Sequence, residues 1–259
     1  MFDAPQSIHN LLHELTEATK DALGDNLVGI YLHGSLAMGC FNPYKSGLDL
    51  IVVVKHNMSV ENRQLFAQMM LRLNTKAPEK GIELSIITLS SLRPFQYPTP
   101  YEFHFSEKWA EKLVNHQVEL SEARVDPDLA AHLTIVKMRG ITLFGSPIDK
   151  VFPEIPATYY KDSIEGDAKD ILSDITSNPV YNVLNLCRVW AYQTERIIVS
   201  KQEGAEWALS LEKVPQRSLI QQALDEYMGK MSAPWDTSKL KSFGRSMQQF
   251  LSLKAGRAG

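Results

Sequence analysis

The chain has 259 residues, 44% of them apolar and 22% charged, and 27 Lys and Arg against 30 Asp and Glu give a formal charge of −3. That is enough chain for a sizeable buried core in one large or two smaller domains, and the mild acidity lacks the basic footprint of a nucleic-acid-binding protein. Two cysteines, Cys40 and Cys187, are too few for a disulfide framework or a cysteine zinc site; no apolar run suits a signal peptide or approaches the roughly 18 residues of a membrane span, so a reducing cytoplasm is the expected compartment.

Ile8, Leu11, Leu12, Leu15 and Ala18 recur at helical spacing and predict an amphipathic first helix that stops at Gly24. Leu27–Leu32 reads as a short buried strand, followed by a Gly-Ser turn and a loop holding Asn42, Pro43 and Gly47. Leu48–Val54 is the strongest strand signal, apolar and β-branched but for Asp49. Ser59 caps a helix to about Leu73, and Ile82–Ile87 is a third strand. Three prolines and five aromatics between Leu92 and Phe105 predict a packed loop. Helices are then predicted over Ser106–Asn115, Asp128–Gly140, Thr158–Thr176, Val180–Ile197, Lys201–Leu211, Gln216–Gly229 and Ser238–Leu253. The fold class is α+β: an N-terminal domain with a small mixed sheet over residues 1–150, and a helical bundle over 151–259, joined through the segment Pro147–Pro156.

Phosphoryl-type transfer needs donors around a polyphosphate, a divalent cation and a base for the attacking hydroxyl. Gly34-Ser35 follows a strand, where glycine lets backbone approach a phosphate and the next helix N-terminus offers N–H groups. Asp49 supplies a hard oxygen ligand of the kind magnesium prefers. Glu83 stands among Ile82, Leu84, Ile86 and Ile87, and in an antiparallel sheet it sits beside Asp49; the two are the candidate metal ligands. Each feature also has a plainer reading as a turn or a solvated strand-end acid. Asp128 and His132, spaced i, i+4, read as a helical ion pair rather than a metal site. His33 reads as a packing residue, His104 as lining a cleft or buried, and Trp190 and Trp207 as core.

Gly34-Ser35, Gly39 and Ser46-Gly47-Leu48-Asp49-Leu50 resemble the Gly-Ser, Gly, Asp-x-Asp signature of polymerase-β-like nucleotidyltransferases. Within that superfamily, Glu83, Arg188-Val189-Trp190, Ser200-Lys201 and Ala205-Glu206-Trp207-Ala208 resemble the aminoglycoside adenylyltransferases of the streptomycin/spectinomycin type. The resemblance implies ATP and Mg2+ as cofactors, with AMP passing to a hydroxyl of a small aminoglycoside-like acceptor. Gly34, Ser35, Ser46 and Lys201 would hold the nucleotide. Asp49 would bind magnesium, Glu83 would act as base, and Trp109 and Asn178 would meet the acceptor. The expected partner is that small molecule, with neither nucleic acid nor membrane, and the chain is expected to be a monomer or weak dimer.

Two positions depart from the family pattern. Gly47 stands where the first acid of Asp-x-Asp belongs, and it supplies no ligand. Asn178 stands at or near an acidic position that faces the cationic antibiotic, and Asp167, Asp170 and Asp174 lie upstream as substitutes. The alternatives are a catalytically impaired nucleotide-binding relative, or adenylylation of another metabolite or of a protein.

Overall fold

The computed structural model describes residues 3–255, apart from 116, 118, 122, 123, 231 and 232. The chain opens with α1 (Gln6–Leu23), whose Ile8, Leu11, Leu12 and Leu15 are buried as their spacing predicts, and Gly24 ends it. Strand β1 (Leu27–His33) runs into a single helical turn, α2 (Gly34–Ala37). Next come β2 (Leu48–Val54), α3 (Val60–Asn74) and β3 (Ile82–Thr88). Ser59 caps α3 by accepting from Asn62 N at 3.1 Å.

The crossover through α3 makes β3 parallel to β2, not antiparallel, as a long helical connection permits and a tight hairpin does not. The expected neighbour of Asp49 survives this change, because Asp49 pairs in register with Glu83. After the short α4 (Leu89–Leu92), the segment expected to be loop contains β4 (Thr99–Tyr101) and β5 (Phe103–Phe105). Phe103 and Phe105 are buried with His104 between them, so a strand alternation had been masked by the prolines and aromatics around it.

Then follow α5 (Glu107–Val114), β6 (Arg124–Asp126), α6 (Leu129–Arg139), β7 (Ile141–Gly145), α7 (Ile148–Val151) and α8 (Ala157–Ser173). Strand β7, which the sequence reading did not anticipate, closes one edge of the sheet. The order is β5-β3-β2-β1-β7, while β4 and β6 form a separate pair.

The sheet is buried on both faces. One face, with Ile30, Leu32, Leu50 and Leu84, packs on Leu12 and Leu15 of α1 and Phe66 and Met70 of α3. The other, with Tyr31, Ile51, Val53 and Ile87, packs on Leu129, Leu133 and Val136 of α6. Burial on both faces explains why the central strands read as nearly continuous apolar runs.

The chain divides into two compact units, residues 1–163 and 164–259, the division falling within α8 beyond the proline segment 147–156. The second unit is helical, as expected: α9 (Pro179–Glu195), α10 (Lys201–Ser210), α11 (Arg217–Tyr227) and α12 (Thr237–Ala255). The buried α9 is its centre, with α10, α11 and α12 against it. Trp190 meets Trp207 edge-on at 5.2 Å and stacks on Phe250 at 5.0 Å; Trp190 is buried, as its expected core role requires, whereas Trp207 is only partly buried and its indole N–H donates to Glu195 Oε1 at 2.9 Å. No helix among the described residues is long and apolar enough to cross a membrane.

Candidate active site

Strand register builds the site. His33 at the end of β1 lies opposite Asp49, and Asp49 lies beside Glu83, so three neighbouring strands carry a row of chemistry-bearing residues at one level. Period-two alternation places Asp49, Ile51 and Val53 on the face covered by α6, together with Glu83, Ser85 and Ile87. Beside Glu83 that face continues to β5, where Ser85 Oγ and His104 Nδ1 lie 2.9 Å apart.

Gly34 occupies the turn out of β1 with φ +64°. A Cβ there would enter the Asp49 carboxylate, ending 2.7 Å from its Cγ. Glycine is required both for the left-handed backbone and for the closeness of the carboxylate. The expected helix N-terminus is only the four-residue α2. Ser35 Oγ is buried and has no hydrogen-bond partner. Such an orphaned hydroxyl is costly unless a ligand satisfies it. Ser46 is buried, and its Oγ accepts from Asn42 N at 3.2 Å, closing the 42–46 loop.

His132 is the residue whose importance the sequence reading missed. The i, i+4 pair with Asp128 exists, with Nε2 3.3 Å from Asp128 Oδ2, but the same Nε2 also lies 4.0 Å from Glu83 Oε1. Burial works against a charge on this imidazole. The Asp128 hydrogen bond and the Asp128, Glu83 and Asp49 carboxylates outweigh it and push its pKa up to about 10. The signal was present in the sequence: His132 falls within the apolar stripe Leu129, Leu133, Val136, where a polar side chain needs a partner. His33 is buried, its ring 5.1 Å from that of His132. Burial and then repulsion by His132 hold its pKa well below the usual histidine value, in line with a packing role.

Trp109 stands on α5 with its ring centroid 5.4 Å from His104 and 6.4 Å from Tyr101, and the Arg124 guanidinium lies 5.1 Å from its ring. His104, depressed to about 4 by burial and then by His132, is a neutral group within this cluster. Gly34, Ser35, Asp49, Glu83 and Trp109 therefore all belong to the first unit. Lys201 and Asn178 belong to the second. Lys201 opens α10 after a Ser200–Glu203 capping box, its Nζ 4.3 Å from the Tyr181 ring centre. Asn178 is the N-cap of α9 and accepts from Tyr181 N at 3.4 Å.

The profile of the aminoglycoside adenylyltransferase C-terminal domain matches residues 150–249. A spectinomycin 9-adenylyltransferase of Staphylococcus aureus is 28% identical over 247 residues, covering 93% of this chain and 94% of its own. The chain is similar to aminoglycoside adenylyltransferases over nearly its whole length, and to that family's C-terminal domain over residues 150–249. An Escherichia coli aminoglycoside (3'') (9) adenylyltransferase is 24% identical over 93% of this chain and 90% of its own. Among solved structures, a spectinomycin adenyltransferase of Enterococcus faecalis, crystallised with ATP and spectinomycin, superposes with a TM-score of 0.81. That match covers 94% of this chain and 99% of the other at 20% identity, a likeness of fold.

Gly47 remains the departure from the pattern of these relatives. It offers no donor, and a Cβ built there would lie 3.0 Å from Gly81 O and 3.3 Å from Lys80 O. Both are backbone carbonyls, so a side chain at this position, just before β2, would need the neighbouring backbone to give by a few tenths of an ångström.

Proposed function

We propose that the chain transfers AMP from ATP to a hydroxyl of an aminocyclitol or aminoglycoside acceptor, releasing pyrophosphate. The observation that carries this reading is the register of Asp49 beside Glu83, next to a glycine turn and a buried, unpartnered Ser35 hydroxyl. The relatives' names support the reaction class, and the ATP and spectinomycin named for the Enterococcus protein support both reactants.

In this reading the acceptor oxygen attacks the α-phosphorus, its bond to the β-phosphate oxygen breaks, and the acceptor proton passes to Glu83. Glu83 suits a base that must reach solvent-borne substrate, since 44% of its side chain is exposed. Gly34 and Ser35 supply backbone approach and a hydroxyl donor to phosphate oxygens. Trp109 gives the acceptor an apolar wall.

The donor set fits one magnesium ion: Asp49 and Glu83 present adjacent hard oxygens, and magnesium commonly takes one or two carboxylates plus substrate phosphates. When bound, the ion would neutralise charge on the transferring phosphate. A bridging pair of ions lacks its shared acid at Gly47, and no group of three or more metal-binding side chains occurs among the described residues. Free thiols and an ATP requirement suit the cytoplasm.

Pyrophosphate release with ATP, magnesium and spectinomycin or streptomycin tests the reading, with Glu83→Gln as control. Expected are turnover by the native chain and a loss of about 10²- to 10⁴-fold in the variant, with ATP binding kept. Gly47 favours a second reading, a nucleotide-binding relative with impaired transfer. Calorimetric binding of ATP without pyrophosphate release from any such acceptor would select it, and absence of ATP binding would sink both.

A further inference from the structure

We infer that His132, held by Asp128, is a positioning residue for Glu83, its imidazole edge biasing where the Glu83 carboxylate sits when it meets the acceptor hydroxyl. The inference rests on the adenylyl-transfer reading and adds to it a residue from α6. His132 Nε2 faces two carboxylates at once, Asp128 Oδ2 at 3.3 Å and Glu83 Oε1 at 4.0 Å. Asp128 is itself fixed on three sides. Its Oδ1 accepts from Ser163 Oγ at 2.6 Å, its backbone N–H donates to Asp126 Oδ1 at 2.8 Å, and its Oδ2 faces the imidazole. The His33 ring lies against the ring of His132. The imidazole is thus braced by α6, α8 and β1, whereas the Glu83 carboxylate ends a three-torsion side chain, 44% exposed, on a strand.

A general base must sit within hydrogen-bond reach of the proton it takes, and supporting groups that lock its rotamer set how often it does. Placing a histidine in the stripe Leu129, Leu133, Val136 forfeits apolar packing, and its contact with Glu83 gives that choice a purpose.

The test compares His132→Leu with His132→Gln. Leucine continues the apolar stripe, so the variant folds, but it has no donor. Glutamine Nε2 stands the same number of bonds from Cβ as histidine Nε2. In pyrophosphate-release assays with ATP and spectinomycin, His132→Leu is expected to lose about 10²-fold in kcat, the cost of roughly an ångström of misplacement. KM for both substrates should stay within about threefold, and His132→Gln should recover most of the lost rate. Asp128→Asn should fall between them. A His132→Leu enzyme matching the native kcat overturns the inference. So does a loss shared equally by kcat, KM and thermal midpoint, or a glutamine variant no better than leucine. A native chain that releases no pyrophosphate instead removes the adenylyl-transfer reading, and this inference with it.

Discussion

Gly34→Ala is the substitution whose consequence follows most directly from the geometry. A Cβ at Gly34 would lie 2.7 Å from Asp49 Cγ and 3.0 Å from Asp49 Cβ, with the carboxylate oxygen nearer still. Ordinary carbon–carbon contact begins near about 3.5 Å, so the Asp49 carboxylate must retreat by roughly 1 Å. A displacement of that size costs about 10²-fold in rate. Alanine at φ +64° also carries a left-handed backbone penalty of roughly 1–2 kcal/mol, which lowers Tm by a few degrees in a protein of this size.

Gly39→Ala separates the two effects. Gly39 has φ +75°, yet a Cβ there would meet nothing within 4 Å. It should therefore lose similar stability and keep its activity. The assay is steady-state pyrophosphate release beside thermal melting for both variants. The reasoning fails if Gly34→Ala retains activity within about threefold of the native chain, or if Gly39→Ala loses as much as Gly34→Ala.

Gly47→Asp is expected to tighten magnesium binding in calorimetry while costing roughly 1–3 kcal/mol, because its Cβ must push against Gly81 O and Lys80 O; unchanged metal affinity would refute the ligand deficit. His104 should make the fold acid-sensitive. From 6.5 down to about 4 the unfolded chain holds a proton that the folded His104 refuses, so stability present above pH 6.5 falls by roughly 3 kcal/mol. His104→Asn should flatten that slope in urea titrations at pH 7 and pH 5, and an unchanged slope would point to another group. Cys187 is buried, its thiol pushed up to about 12, while Cys40 is partly exposed. A disulfide thiol reagent at pH 8 should therefore label Cys40 in the native protein and reach Cys187 only after denaturation.

What the sequence by itself determined was everything carried by short-range pattern. Continuous apolar and β-branched runs fixed β1, β2 and β3, helical spacing fixed α1 and the second unit, and the string Gly34-Ser35 to Asp49 fixed the candidate phosphate and metal residues within about one strand and its turn. Glu83 was legible because a lone acid in Ile82–Ile87 breaks an otherwise buried strand.

Only tertiary structure decided how those pieces meet. The parallel sense of β3 comes from the crossover through α3, a long-range choice that leaves no mark on the strand itself. Strand β5 was hidden because the pairing of Phe103–Phe105 with β3, rather than intrinsic propensity, makes it a strand. Asp128 and His132 read as a local helical pair, since periodicity within α6 cannot say which strand residue its stripe faces. The packing of α6 on the sheet brings that pair to Glu83 and turns an ordinary i, i+4 contact into part of the candidate site.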